Sequence, residues 1–136
     1  MSIEKNIETV NGIYAAFGRG DAPAIIEQMA DDVDWEFGAS QHRIPWLVNG
    51  RGRAAVKSFF DSLAALDFHE FRPLAVMGEA DWVVALVRLE CTVKSTGRKL
   101  REECEAHIWR FDERGRVAAM RHAADTWHHA WALGML

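Results

Sequence analysis

The apolar residues of this chain change their period once, near residue 67, and that change fixes the class of fold open to it. Before that point they recur at helical spacing: Ile3, Ile7, Val10, Ile13, Tyr14 and Phe17 in one run, Val56, Phe59, Phe60 and Leu63 in another. Beyond it, valine, leucine and aromatic residues alternate with charged ones, as half-buried strands do. Helices first and antiparallel strands after make an α+β fold. With 136 residues, 49% of them hydrophobic and 26% charged, the chain reads as one globular domain, 1–136, with enough apolar material for a real core.

Local signals set the expected boundaries. Gly18 and Gly20 end the first helix, and Asp21 caps a second with Pro23 in its first turn. Val33 to Phe37 alternates as a short strand. Residues 38–52 hold Gly38, Pro45, Asn49, Gly50 and Gly52 and read as a long loop, a kind of segment that is often functional. Within it, Arg43 to Trp46 either lids a pocket or is a plain surface loop. A third helix is expected from Arg53 to Leu66. Strands are expected over 68–77, 82–93, 102–111 and 116–125, with turns at 78–81 and 95–98. The tail from Thr126 to Leu136 reads as a short helix or an ordered end.

Charge and motifs exclude several classes. The net charge is −4 with both signs interleaved, and without a basic stripe there is no nucleic-acid partner to expect. The polar start lacks the apolar run of a signal peptide, and no apolar stretch has bilayer length, so a cytoplasmic protein away from the membrane is expected. Two cysteines, Cys91 and Cys104, are too few for a disulfide framework and read as reduced thiols. No Gly-Lys-Ser/Thr follows the glycines, and no Ser-His-Asp or Cys-His order stands out. His128 and His129 are adjacent and so point in different directions, which makes a poor ligand pair. Neither a metal nor a cofactor is expected.

The stretch from His107 to His122 carries the best chemical signal. It reads as two strands joined by a charged turn with Gly115. Paired as a hairpin, the strands set His107 opposite His122 on a surface shared with Trp109, Phe111 and Met120. Imidazoles titrate near neutral pH, and burial favours their neutral, proton-accepting form. Glu105 lies two residues before His107 and should share its face. It either orients the imidazole or, as the sequence suggests more strongly, sits in water at the pocket mouth. Cys91 reads as a small buried residue.

Four segments together resemble the SnoaL-like and ketosteroid-isomerase-like group of the nuclear-transport-factor-2-like superfamily. They are Tyr14-Ala-Ala-Phe-Gly-Arg-Gly-Asp21, Met29-Ala-Asp-Asp-Val-Asp-Trp35, Gly52-Arg-Ala-Ala-Val-Lys-Ser-Phe-Phe60 and Trp109-Arg-Phe-Asp-Glu-Arg-Gly-Arg-Val117. The resemblance implies a cone: a strongly curved antiparallel sheet wrapped around three N-terminal helices, enclosing an apolar pocket. It also places Ile13, Phe17, Trp35, Phe37, Phe60, Val87, Leu89, Trp109 and Met120 in that pocket's lining, and Tyr14, Trp46 of the long loop and Glu105 beside His107 are further candidates for it.

By the same resemblance the ketosteroid isomerase machinery is missing. The oxyanion tyrosine falls at Ile13, its supporting tyrosine at Phe60, the proton-shuttling aspartate at Phe37, and the protonated aspartate at His107. Phenylalanine cannot act as a base. No steroid isomerisation by that mechanism is therefore expected. The reading is a protein that binds a small hydrophobic molecule and acts on it, if at all, by cofactor-independent acid–base chemistry, as an isomerase, cyclase, dehydratase or hydrolase. His107 would be the acid–base group and His122 its partner. The alternative is a non-catalytic ligand-binding or dimerisation module. The resemblance implies a homodimer through the outer sheet face, which carries Ala106 and Ile108, with Trp127 and Trp131 of the tail extending it.

Overall fold

The computed structural model describes residues 2–39 and 42–136; of the expected loop over 38–52, Ser40 and Gln41 lie outside the described residues. Helix α1 (Ile3–Gly18) opens on Ser2, whose side chain accepts from the Lys5 N–H, and buries Val10, Ile13 and Ala16 at the spacing that marked it in the sequence. Helix α2 (Ala22–Ile26) is capped by Asp21. Strand β1 (Met29–Trp35) follows, then a 3-10 turn at Pro45–Leu47, the two-residue strand β2 (Gly50–Arg51) and helix α3 (Arg53–Ser62). A second 3-10 turn (Leu63–Ala65) closes α3, so the expected helix end at Leu66 falls one turn earlier.

The rest is sheet and a final helix. Strands β3 (Leu66–Glu79), β4 (Trp82–Val93), β5 (Lys99–Phe111) and β6 (Val117–Ala123) precede helix α4 (Thr126–Leu133). Their order is β2-β1-β6-β5-β4-β3. The long strands β3 to β6 pair antiparallel as expected, whereas β1 pairs parallel with β6. That parallel join is possible because α3 and the strands β2 to β5 lie between the two strands in sequence. Register shifts interrupt β3–β4 and β4–β5, and such bulges bend a sheet. The result is the unclosed, curved sheet of the cone, with α1, α2 and α3 on the inner face.

One bulge decides which carboxylates turn inward. Val87 pairs with Glu105 and Leu89 with Glu102, so one residue of β4 faces two of β5. Across this bulge the alternation of β5 slips by one. Leu100, Glu102, Glu105, His107, Trp109 and Phe111 are all buried. Strict alternation back from His107 would have put Glu103 inside and Glu102 in water.

Candidate active site

The hairpin register sets His107 directly opposite His122, and the two rings meet edge to face at 4.6 Å between centroids. They stand in the wall of a cavity of about 80 Å3, the space open to the centre of a water-sized sphere. That is roughly five to eight waters' worth. Aromatic and aliphatic side chains from α1, α3 and the sheet make most of the wall. Its polar part is the cluster around the imidazoles, Glu105, His107, His122 and His129, together with Tyr14.

Hydrogen bonds fix the state of His107. The indole of Trp109 donates to the Tyr14 hydroxyl at 3.2 Å, and that hydroxyl lies 2.7 Å from His107 Nδ1. His107 Nε2 lies 2.6 Å from Glu105 Oε2. An indole can only donate, so Tyr14 keeps its own proton for Nδ1, and the ring carries its proton on Nε2 towards Glu105. This assignment gives the Trp109 indole, the Tyr14 hydroxyl and both ring nitrogens of His107 a partner each. Burial lowers the His107 pKa, against the pull of Glu105. Burial would raise Glu105, but hydrogen bonds from His107 and His129 overcome it and hold the carboxyl well below its usual range. Burial likewise raises Tyr14, keeping the phenol protonated.

His122 is held differently. Glu36 is 1% exposed and accepts with Oε1 from both the backbone N–H of His122, at 3.0 Å, and its ring Nδ1. Burial lowers the His122 pKa, but the charge and hydrogen bond of Glu36 outweigh it, and the net direction is up. Its Nε2 has no hydrogen-bond partner among the described residues. A third pair completes the cluster. His129 Nε2 lies 2.9 Å from Glu102 Oε2 and 3.6 Å from Glu105 Oε1, while Trp46 Nε1 donates to Nδ1 at 2.9 Å.

Glu105, His107 and His122 bring donor atoms within 4.8 Å of one another, and so do Glu102, Glu105 and His129. Either trio could hold a metal ion only by giving up bonds just described. With Trp46 donating to Nδ1, His129 cannot offer a lone pair at Nε2 as well, and His107 stands in the same position through Tyr14. His122 Nε2 alone among the three imidazoles keeps a lone pair uncommitted.

Several expected positions differ in the structure. Ile13, Tyr14, Phe17, Trp35, Trp46, Phe60, Leu89, Glu105, Trp109 and Met120 line the cavity with the two histidines. Phe37 and Val87 do not. Glu36 takes a positive φ of 57°, which reverses the strand alternation, so Glu36 turns inward and Phe37 packs outside against Trp82 at 6.1 Å. Val87 is fully buried, in the packed part of the inner face. Glu105 is buried on His107 rather than wetted at a mouth. Glu36, Glu102 and His129 were not anticipated. For His129 a signal existed, because it shares a helical face with Ala132, three residues on, and both are buried.

The model of the SnoaL-like domain matches residues 10–120 of this chain. The chain belongs to the SnoaL-like domain family. Solved structures agree on the SnoaL-like fold. An NTF2-like protein from Burkholderia xenovorans is 24% identical with a TM-score of 0.80, and 98% of each chain is covered. TerC, co-crystallized with polyporic acid, is 22% identical with a TM-score of 0.77, covering 96% of this chain and 98% of its own. RV0760c from Mycobacterium tuberculosis, in complex with estradiol-17beta-hemisuccinate, is 19% identical with a TM-score of 0.71, covering 89% and 94%. No protein with a curated description matches. Among the described residues, no helix of this SnoaL-like chain is long and apolar enough to cross a membrane.

Proposed function

We propose that this SnoaL-like protein binds a small, largely apolar molecule in the cavity and moves a proton on it, with His122 as the base and Glu36 behind it. The observation that carries this is the uncommitted Nε2 of His122, in a largely apolar wall and backed by a buried carboxylate. That is the arrangement of a general base whose imidazolium is stabilised as it forms. The roles expected for the two histidines are thereby exchanged. His107, bonded on both ring nitrogens, orients the site, and the Tyr14–His107–Glu105 chain keeps the inner end polar, with a protonated phenol and an imidazole set on the buried Glu105 carboxylate.

The ligand's polarity follows from what is left unpaired. Trp35 lines the cavity and its buried Nε1–H has no partner among the described residues, so a ligand oxygen that accepts from it would relieve the cost of an orphaned donor. An acidic C–H or O–H of the same molecule would meet His122. Glu36 and His122 also line an outer cleft with His42, Arg121 and Trp127, which gives the proton a way out. Two structural neighbours in complex with small molecules, polyporic acid and estradiol-17beta-hemisuccinate, support a ligand-binding reading.

The test is wash-in of deuterium from D2O into a panel of small phenols and ketones, followed by NMR. Ligands are found first by quenching of the cavity tryptophans. Binding should be lost in Leu63→Trp, which fills the cavity from its half-buried rim. Exchange should be lost in His122→Gln with binding kept. Exchange that persists in His122→Gln would overturn the assignment of the base.

A second reading is assembly. On the outer sheet face Val84 pairs with Ile108 and Leu86 with Ala106, and all four are half-buried. This apolar patch fits a homodimer through that face.

A further inference from the structure

His129 sits between partners that demand opposite states of its ring. On one edge, the Trp46 indole N–H has a proton to give and no lone pair, and it lies 2.9 Å from Nδ1. That bond exists only while Nδ1 is bare. On the other edge, Nε2 faces Glu102 at 2.9 Å and Glu105 at 3.6 Å, and two carboxylates favour the doubly protonated imidazolium. An imidazolium would put N–H against N–H at the indole. We infer that His129 is a latch on the Ile44–Leu47 segment: the neutral ring ties Trp46 into the cavity wall, and the imidazolium lets it go.

The setting fits a latch. The 3-10 turn Pro45–Leu47 supplies Trp46 and Leu47 to the cavity wall and belongs to no long helix or strand. Its C-terminal flank is tied to the end of β1 and the residue after it, through Asn49 Nδ2 to the carbonyls of Trp35 and Glu36, each at 3.0 Å. The bond to His129 is what joins the turn to α4, across the cavity. The cavity of about 80 Å3 is smaller than the few hundred Å3 of most ligand sites, so a ligand of ordinary size needs a wall that moves.

The groups around the ring are known. Glu102 and Glu105 come from β5. Asp125 begins α4, and its backbone N–H donates to the same Glu102 oxygen at 2.9 Å. His128 is its neighbour on α4, where its own Nε2 accepts from the Arg101 N–H. His122 on β6 feels its charge. Burial lowers the His129 pKa, but Glu102 and Glu105 carry it up to about 9. Those carboxylates oppose the latch, and the indole opposes them, so the ring titrates where the two balance. Loosening accompanies falling pH, because the released state is the protonated one. A latch closed about ten to one over the neutral ring lowers that ring's pKa by about one unit.

NMR titration of wild type, Trp46→Phe and His129→Gln tests this without any ligand, so its failure leaves the proposed function standing. In wild type, the Trp46 indole N–H resonance should move and lose protection from solvent exchange in step with His129 protonation. In Trp46→Phe, the His129 pKa should rise by about one unit. In His129→Gln, whose side-chain oxygen accepts at every pH, the indole resonance should stay fixed across the same range. An indole that ignores His129 titration in wild type, or an unchanged His129 pKa in Trp46→Phe, overturns the latch. Should Trp46→Phe fail to fold, the wild-type and His129→Gln titrations decide alone.

Discussion

Replacing Glu36 by Gln isolates the charge behind His122 while keeping an oxygen for its two N–H groups. The carboxylate accepts from the backbone N–H at 3.0 Å and from ring Nδ1, and His122's side chain is 10% exposed. A hydrogen bond to a charged group contributes about 1.5–3 kcal/mol and a neutral one about 0.5–1.5. The difference, about 1–1.5 kcal/mol, is close to one pKa unit, and the lost Coulomb attraction brings the drop to about one to two units. In wild type, burial pulls His122 down and Glu36 lifts it above its ordinary value. In Glu36→Gln burial wins, and the imidazole should titrate below its ordinary 6.5.

The sign of the stability effect follows from linkage. The wild-type folded pKa is raised, so His122 contributes stability that is fully present below about pH 6.5 and fades as pH rises through the folded value. The variant's folded pKa is depressed, so the ring opposes folding in acid. Urea unfolding of both proteins should show a stability gap about 1.4–2.8 kcal/mol wider at pH 5.5 than at pH 9. NMR titration of His122 should show the matching shift. An equal gap at both pH values, or an unmoved His122 pKa, would refute the claim that Glu36 sets its charge.

Two further outcomes are expected. Tyr14→Phe should destabilise the protein by about 1–3 kcal/mol in urea, because it strands the Trp109 indole N–H and His107 Nδ1 in a dry wall; a loss no larger than that of one exposed hydroxyl would count against the chain of bonds. The homodimer proposed through the outer sheet face should fall to monomer in Ile108→Lys by light scattering with the fold intact by circular dichroism, and a mass unchanged by the substitution would refute that interface.

The pairing of His107 with His122 was legible because the residues from His107 to Phe111 alternate and Gly115, at a φ of 78°, closes the turn that follows them. Legibility failed wherever alternation was broken. Glu36 follows the buried Trp35, so a regular strand would aim it at water; its positive φ turns it inward instead. Glu102 lies on the far side of a bulge that no local residue pattern announces. The start of β1 at Met29 was missed because Asp31 and Asp32, exposed on its open side, read as turn residues. His129 shows the converse. Its helical spacing to Ala132 was readable, but its partners Trp46 and Glu102 lie 83 and 27 residues away in the chain.

The sequence by itself determined the α+β order, the helix caps, the inner faces of the strands and the family, because these rest on local periods and short motifs. It also determined that two imidazoles share one surface. Only the tertiary structure decided what those imidazoles are. Hydrogen-bond partners from α1, β5, the residue after β1 and the 44–47 turn assign each ring its proton, leaving one nitrogen of the six in His107, His122 and His129 ready to act. Such an assignment depends on which donor stands within 3 Å of which acceptor, and strand curvature, one bulge and one positive φ set those distances.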